Sequence, residues 1–247
     1  MDYGLFILGN GRRGYLERTI ASWTHNLIDM PKHAIIFDDS GDQGYVRYLE
    51  KRYGRDFEIV PIPDNHIGHA GAIYYIFKYL KTKDVDYFLQ IEEDWMLFRS
   101  LSIKEIISVL KNNPDVIQMR IPRSIWYNPE YYADLRDGSL LRNHLMREGV
   151  SWSQQERWYK WRGPRYYWTH NPSVFHRDIL DESYPQIPGH GKHELQFGNL
   201  LYKKYTNSSV GWWATNLYDA YITHIGFYDN KLLSHIEGTE IPHLPWT

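Results

Sequence analysis

Between Tyr3 and Ile121 short apolar runs alternate with stretches of helical periodicity. YGLFIL (3–8), HAIIFD (33–38), FEIVPI (57–62), DYFLQI (86–91) and DVIQMRI (115–121) have the length and composition of strands. Among the segments between them, YLERTIASWTHNL sets Leu16, Ile20, Trp23 and Leu27 on one helical face, and GYVRYLEKRYG stops at Gly54. GHAGAIYYIFKYLK (68–81) opens with small residues, and SIKEIISVLKNN carries Ser102 and Glu105 at the spacing of a capping box. Parallel strands need a long crossover, which a helix supplies, so this repetition predicts an α/β fold with a mostly parallel sheet flanked by helices. Open sheets of that kind bind ligands beyond the carboxyl ends of their strands.

Chemistry-bearing residues collect at those ends. GNGRRG (9–14) follows the first strand, Asp38-Asp39-Ser40 the second, and Glu92-Glu93-Asp94 the fourth. If the fourth strand keeps its period of two through the triplet, Glu92 and Asp94 share one side and Glu93 takes the other. Two carboxylates on one side of a half-buried strand end repel, and a bound cation removes that cost. Hard oxygen ligands suit Mg²⁺ or Mn²⁺, and such an ion can clamp a diphosphate. In the Gly68 helix, small residues permit close backbone approach, and a helix N-terminus attracts anions.

Composition sets outer bounds. The chain has 247 residues, 43% hydrophobic and 23% charged, with a net charge of -2 and no cysteine. These values describe a globular protein without disulfides or thiolate metal sites, and give no global sign of nucleic-acid or membrane binding. No run approaches the ~20 apolar residues of a membrane span, and the N-terminus lacks the basic region of a secretory signal, so a cytoplasmic protein is expected. Aromatic residues reach 16%, with 10 Trp and 21 Tyr, enough to furnish flat platforms for sugars or bases. Many fall in 123–168, where periodicity is lost. From Arg120 to Trp168 there are 9 Arg or Lys against 5 Asp or Glu. The segment reads as a long excursion over the sheet.

In order and spacing, these segments resemble the GT-A glycosyltransferases, in particular the family-2-like branch. IIFDDSGD is similar to the diacid segment after strand two, and NHIGHAGAIYYI to an Asn-x-x-Gly-x-x-x-Ala helix. FLQIEEDWML stands where an Asp-x-Asp motif belongs, with Glu92 in place of the first Asp, and THIG resembles a late His-x-Gly segment. The resemblance implies a Rossmann-like GT-A sheet and one domain over 1–247. Within it, 1–121 would be the nucleotide-sugar-binding half and 122–247 the acceptor-side half. It implies that Asp39 reads the base with Asp38 nearby, and that Arg12 or Arg13 approaches the nucleotide or its phosphates. Asp94 becomes the main metal ligand, Glu92 or Glu93 faces the ribose or donor sugar, and His224 is a second metal ligand or a diphosphate contact. The expected activity moves a sugar from a nucleotide-sugar donor, a UDP-sugar, to a hydroxyl of a saccharide, a polypeptide or a hydroxylated base in DNA, with Mn²⁺ or Mg²⁺ as cofactor.

An inverting transfer needs a carboxylate within reach of the acceptor hydroxyl. PGHGKHELQFGNLLYKKY offers Glu194 in the first turn of a helix, with His190 and His193 as neighbouring alternatives. Two other readings compete. GNGRRG has the form G-x-G-x-x-G between a strand and a helix, as in an NAD-dependent oxidoreductase. The aromatic content also suits a non-catalytic carbohydrate-binding module.

Overall fold

The computed structural model describes residues 2–63, 68–122, 151–155, 157–162, 168–186, 192–214 and 220–225. The order of elements through the first half is β1 (Gly4–Gly9), α1 (Arg13–Asn26), β2 (His33–Asp38), α2 (Gln43–Tyr53), β3 (Glu58–Pro61), α3 (Gly68–Leu80), β4 (Tyr87–Glu92), β5 (Trp95–Leu97), α4 (Ile103–Asn112) and β6 (Val116–Arg120). The second half contributes β7 (Ser151–Gln154), β8 (Tyr159–Arg162), β9 (Ser173–His176), α5 (Lys192–Lys204), β10 (Ser209–Trp212) and β11 (Ile222–His224). Nine strands form one sheet in the order β3-β2-β1-β4-β9-β6-β10-β8-β7. Strands β1 to β4 pair in parallel, as do β6 and β10, whereas β9 runs antiparallel between β4 and β6.

Alternation along the strands divides the core in two. Leu5, Ile7, Ile36, Leu89 and Ile91 join α1, α2 and α4 on one face through Leu16, Ile20, Trp23, Leu49, Ile106 and Leu110. Phe6, Leu8, Ile35, Phe37 and Phe88 join α3 and α5 on the other through Ile73, Phe77, Phe197 and Leu201. Both faces are covered, so the central strands are mostly apolar, with Gln90 and Gln118 as buried polar exceptions. The predicted capping box is half realised: the Glu105 backbone N–H donates to Ser102 Oγ at 3.2 Å.

Two expectations need correction. The excursion is not wholly a cover over the sheet, because its residues 151–154 and 159–162 form an antiparallel hairpin on the sheet edge, β8 against β10. Residues 123–150, 156 and 163–167 of it lie outside the described residues, as do His190 and the Asn65 end of the helix motif. The fourth strand ends at Glu92, and Glu93-Asp94 form a turn before β5. The period of two therefore stops, and the acids sort differently from the expected pattern.

Candidate functional site

Helix α1 holds the acidic turn from one side. Thr19 Oγ1 donates to the Glu93 carbonyl at 2.6 Å, and the buried Trp23 indole N–H donates to the Trp95 carbonyl at 2.7 Å. From the other side the Glu93 N–H reaches the Leu8 carbonyl at the end of β1, at 2.9 Å. With its backbone tied on both sides, the turn presents its side chains in fixed directions.

Glu93 and Asp94, not Glu92 and Asp94, share a partner. Arg12 Nε donates to Glu93 Oε1 at 2.6 Å and its Nη2 to Asp94 Oδ2 at 2.8 Å. Arg13 turns away, pairing with Glu17 at 2.9 Å and lying 4.0 Å over the Tyr48 ring. Of the two arginines, Arg12 alone reaches the triplet. Glu92 faces His69, whose Nε2 lies 3.0 Å from Glu92 Oε1.

Burial and charge compete at each acid. Burial pushes the Glu93 carboxyl above its ordinary range, and Arg12 only partly offsets it. Burial acts the same way on Asp94, but His224 and Arg12 outweigh it and hold its carboxyl below the usual range. Asp94 is thus the more readily ionised of the two.

His224 reaches Asp94 by strand register. β11 pairs antiparallel with β5, setting His224 opposite Trp95. Its Nε2 then lies 3.3 Å from Asp94 Oδ2, with the ring edge-on to Trp95 at 4.6 Å. An anionic oxygen and an imidazole nitrogen at that separation can bind one divalent cation, so these two residues fit the expected ion. Among the described residues no group of three or more His, Asp or Glu converges as a metal site. Phosphate oxygens and water would complete the shell, the usual arrangement for Mg²⁺.

Asp38 is buried, and its carboxylate accepts from Ser40 Oγ at 2.8 Å and from the Ser40 N–H at 3.2 Å. Burial still raises its pKa against those bonds. Asp38 therefore shapes the turn after β2, whereas Asp39 is half-buried beyond it, its N–H on the Gly9 carbonyl at 2.8 Å. Gly68 has φ +48° and open space where a Cβ would stand, which accounts for glycine at the start of α3.

Glu194 sits in the first turn of α5 and accepts the His170 backbone N–H through Oε1 at 2.6 Å. Among the described residues its second oxygen has no hydrogen-bond partner. Three residues beside it escaped the sequence reading: His69, His170 and Tyr184. His69 Nδ1 lies 3.3 Å from His193 Nε2, and His193 Nδ1 lies 2.7 Å from the Tyr184 hydroxyl, which also meets His170 Nε2. The available signal was the density of histidine around α3 and α5; the tyrosine had none.

The glycine motif departs from a dinucleotide fingerprint. Its third glycine normally permits close helix–strand packing. Here a Cβ on Gly14 would meet nothing within 4 Å. Gly9 and Gly11 do have local reasons: a Cβ on Gly9 would stand 3.2 Å from Glu93 Oε2, and Gly11 has φ +79°.

The sheet order, the antiparallel strand inserted between β4 and β6, and the acidic turn after β4 define a GT-A fold. Solved structures that share it include S. aureus TarS 1-349, with a TM-score of 0.58 at 15% identity, covering 93% of this chain and 63% of that one. The same TarS piece in complex with UDP-GlcNAc gives 0.56 at 13%, covering 90% and 58%. Glucosyl-3-phosphoglycerate synthase from Mycobacterium tuberculosis, in complex with Mn²⁺, UDP and glucosyl-3-phosphoglycerate, gives 0.52 at 14%, covering 85% and 68%. The chain thus spans less than two thirds of the TarS chains it matches. No family model and no curated protein matches the sequence. No described helix is long and apolar enough to cross a membrane.

Proposed function

We propose that the protein is a glycosyltransferase that moves a sugar from a nucleotide-sugar donor, a UDP-sugar, to a hydroxyl acceptor. The observation that carries this reading is the meeting of ionised Asp94, His224 and Arg12 at the strand ends, with Glu194 close by through His69 and His170. UDP or UDP-GlcNAc in the complexes of two proteins of the same fold supports the donor class.

Asp94 and His224 would hold Mn²⁺ or Mg²⁺, as Mn²⁺ accompanies UDP in the mycobacterial synthase. A bound divalent ion supplies neutralisation of the charge that develops on the departing diphosphate. Arg12 adds a second positive group at the same place. Asp39 meets the base, and Glu92 faces the ribose or donor sugar. The free oxygen of Glu194 takes the acceptor's hydroxyl proton as that oxygen bonds to the anomeric carbon. The bond from that carbon to the diphosphate breaks, and its electron pair leaves with UDP.

Saccharide, polypeptide and hydroxylated DNA base all offer the required hydroxyl. The basic, aromatic character of 123–168 suits stacking beside phosphate contacts, which keeps DNA among the acceptors to assay. An affinity for DNA that does not weaken with salt, or none at all, removes it.

Calorimetry with UDP, with and without Mn²⁺ and with NAD⁺ as comparator, tests the reading. Metal-dependent UDP binding that Asp94→Asn loses supports it. Metal-independent NAD⁺ binding overturns it in favour of an oxidoreductase.

A further inference from the structure

The histidines between the two halves of the site form a continuous chain: Glu92 Oε1 to His69 Nε2, His69 Nδ1 to His193 Nε2, His193 Nδ1 to the Tyr184 hydroxyl, and that hydroxyl to His170 Nε2. His193, Tyr184 and His170 are each at most 5% exposed. Water is largely excluded from these three, whereas His69 and Glu92 are part-exposed, and proton positions follow from the partners the chain supplies.

Begin at Glu92. A carboxylate can only accept, so His69 Nε2 carries hydrogen. In neutral His69, Nδ1 is then an acceptor, and His193 Nε2–H must donate to it. That leaves His193 Nδ1 as acceptor of the Tyr184 hydroxyl, whose oxygen receives His170 Nε2–H. The last nitrogen, His170 Nδ1, is left without hydrogen. Among the described residues it is also a buried nitrogen with no hydrogen-bond partner. The reversed chain would place an N–H there, and at the other end would turn the bare Nε2 of neutral His69 toward the Glu92 carboxylate, acceptor against acceptor. The chain therefore has one favoured direction, with its donating end on Glu92.

Its other end is tied to the acceptor side. His170, whose ring closes the chain, gives its backbone N–H to Glu194 at 2.6 Å. The His69 and His170 rings also pack edge to face at 5.4 Å.

We propose that His69, His193, Tyr184 and His170 form a directional hydrogen-bond relay that fixes Glu92 and Glu194 relative to each other, as positioning residues for transfer. The proposal rests on the glycosyltransferase reading only for the roles of the two carboxylates. A site built this way sets the donor sugar and the base in register before the acceptor arrives. Arg12 and Asp94 lie outside the relay, and with Glu92 meeting the donor sugar rather than the ribose, affinity for UDP, which lacks that sugar, does not depend on it.

Nitrogen-15 NMR of the histidine rings at about pH 8.5, well above the ordinary imidazole pKa, tests the direction. His69, His193 and His170 should all be Nε2–H tautomers, with a coupling across the hydrogen bond from His193 Nε2 to His69 Nδ1. Any of the three as the Nδ1–H tautomer overturns the relay. Tyr184→Phe then tests positioning. The ring packs on Phe77 and Phe197 at 5.4 and 4.7 Å and loses only its hydroxyl. The His193 Nδ1 signal should shift to that of a bare lone pair, and kcat should fall about 10–100-fold with UDP affinity unchanged. Wild-type kcat, or equal losses in kcat and UDP affinity, overturns the proposal. Should Tyr184→Phe not fold, His69→Asn at the other end of the relay carries the same kinetic expectation. The tautomers are read without turnover, so a wild-type protein that transfers no sugar counts against the glycosyltransferase reading and leaves the relay to the NMR result.

Discussion

His224 Nε2 stands 3.3 Å from Asp94 Oδ2 because β11 pairs with β5 in a register that sets His224 opposite Trp95. One strand pair thus turns two residues distant in sequence into adjacent donors. Replacing His224 with Ala should leave the pairing intact and remove one of the two donors. Mn²⁺ affinity in the presence of UDP should fall by about tenfold or more, equivalent to roughly 1.4 kcal/mol. Paramagnetic resonance of free Mn²⁺ measures this, and an unchanged affinity assigns His224 to packing on Trp95.

On the proposed reading, Arg12 and a cation would claim the same oxygen. Its Nη2 lies 2.8 Å from Asp94 Oδ2, while Nε holds Glu93. The guanidinium must yield that contact, or share it, when an ion binds. Arg12→Gln should therefore bind Mn²⁺ alone more tightly than the wild type, by several-fold, and bind UDP more weakly. Titrations of each ligand separately distinguish the two effects. Weaker binding of both would mean that Arg12 builds the turn and does not compete within it.

Glu93 makes stability depend on pH in a direction unusual for a carboxylate. Burial raises its folded pKa above the unfolded value despite Arg12. Such a group contributes stability that is fully present below the unfolded pKa and is lost as pH rises through the folded pKa. At neutral pH its charge is a net cost. Glu93→Gln keeps the size and an acceptor for Arg12 while removing that charge. Its melting temperature should exceed the wild type's by a few degrees at about pH 7.5, with the difference shrinking toward about pH 4. Asp94, whose folded pKa is depressed, behaves oppositely, losing stability only as pH falls through its lowered pKa. A variant less stable by the same margin at both pH values would show that pairing with Arg12 outweighs burial.

How far the sequence could be read follows from what ends each element. From β1 to β6, β5 apart, the boundaries agree within one or two residues, because Gly54, Ser102 and the strand-ending acids mark them locally; the three-residue β5 is too short to read from the sequence. β9 and β10 were missed. Four-residue strands buried inside a sheet have no periodicity to detect, and their place between β4, β6 and β8 depends on pairing alone. Arg12, Asp94 and His224 were legible as candidates, yet the choice of Arg12 over Arg13 needed the direction of α1. The sorting of the acids failed for a physical reason: the chain turns at Glu93, and a turn has no period of two. His69 lies in a helix plain from the sequence, but its meaning comes only from contacts with Glu92 and His193.

Glu194 offers the sharpest test of the chemistry. One of its oxygens is held by the His170 N–H at 2.6 Å, and that bond needs only an acceptor. Glu194→Gln can keep the bond, so helix α5 and the His170 backbone should stay in place. What the amide lacks is a lone pair basic enough to take the acceptor's proton. Transfer should fall by about 10²–10⁴-fold, the usual worth of a general base, with UDP binding and melting temperature near wild type. Glu194→Asp keeps the basicity but withdraws the carboxylate by one methylene, so it should retain more activity than the amide. If Glu194→Gln transfers sugar at the wild-type rate, the proton leaves by another route and Glu194 serves only to hold His170.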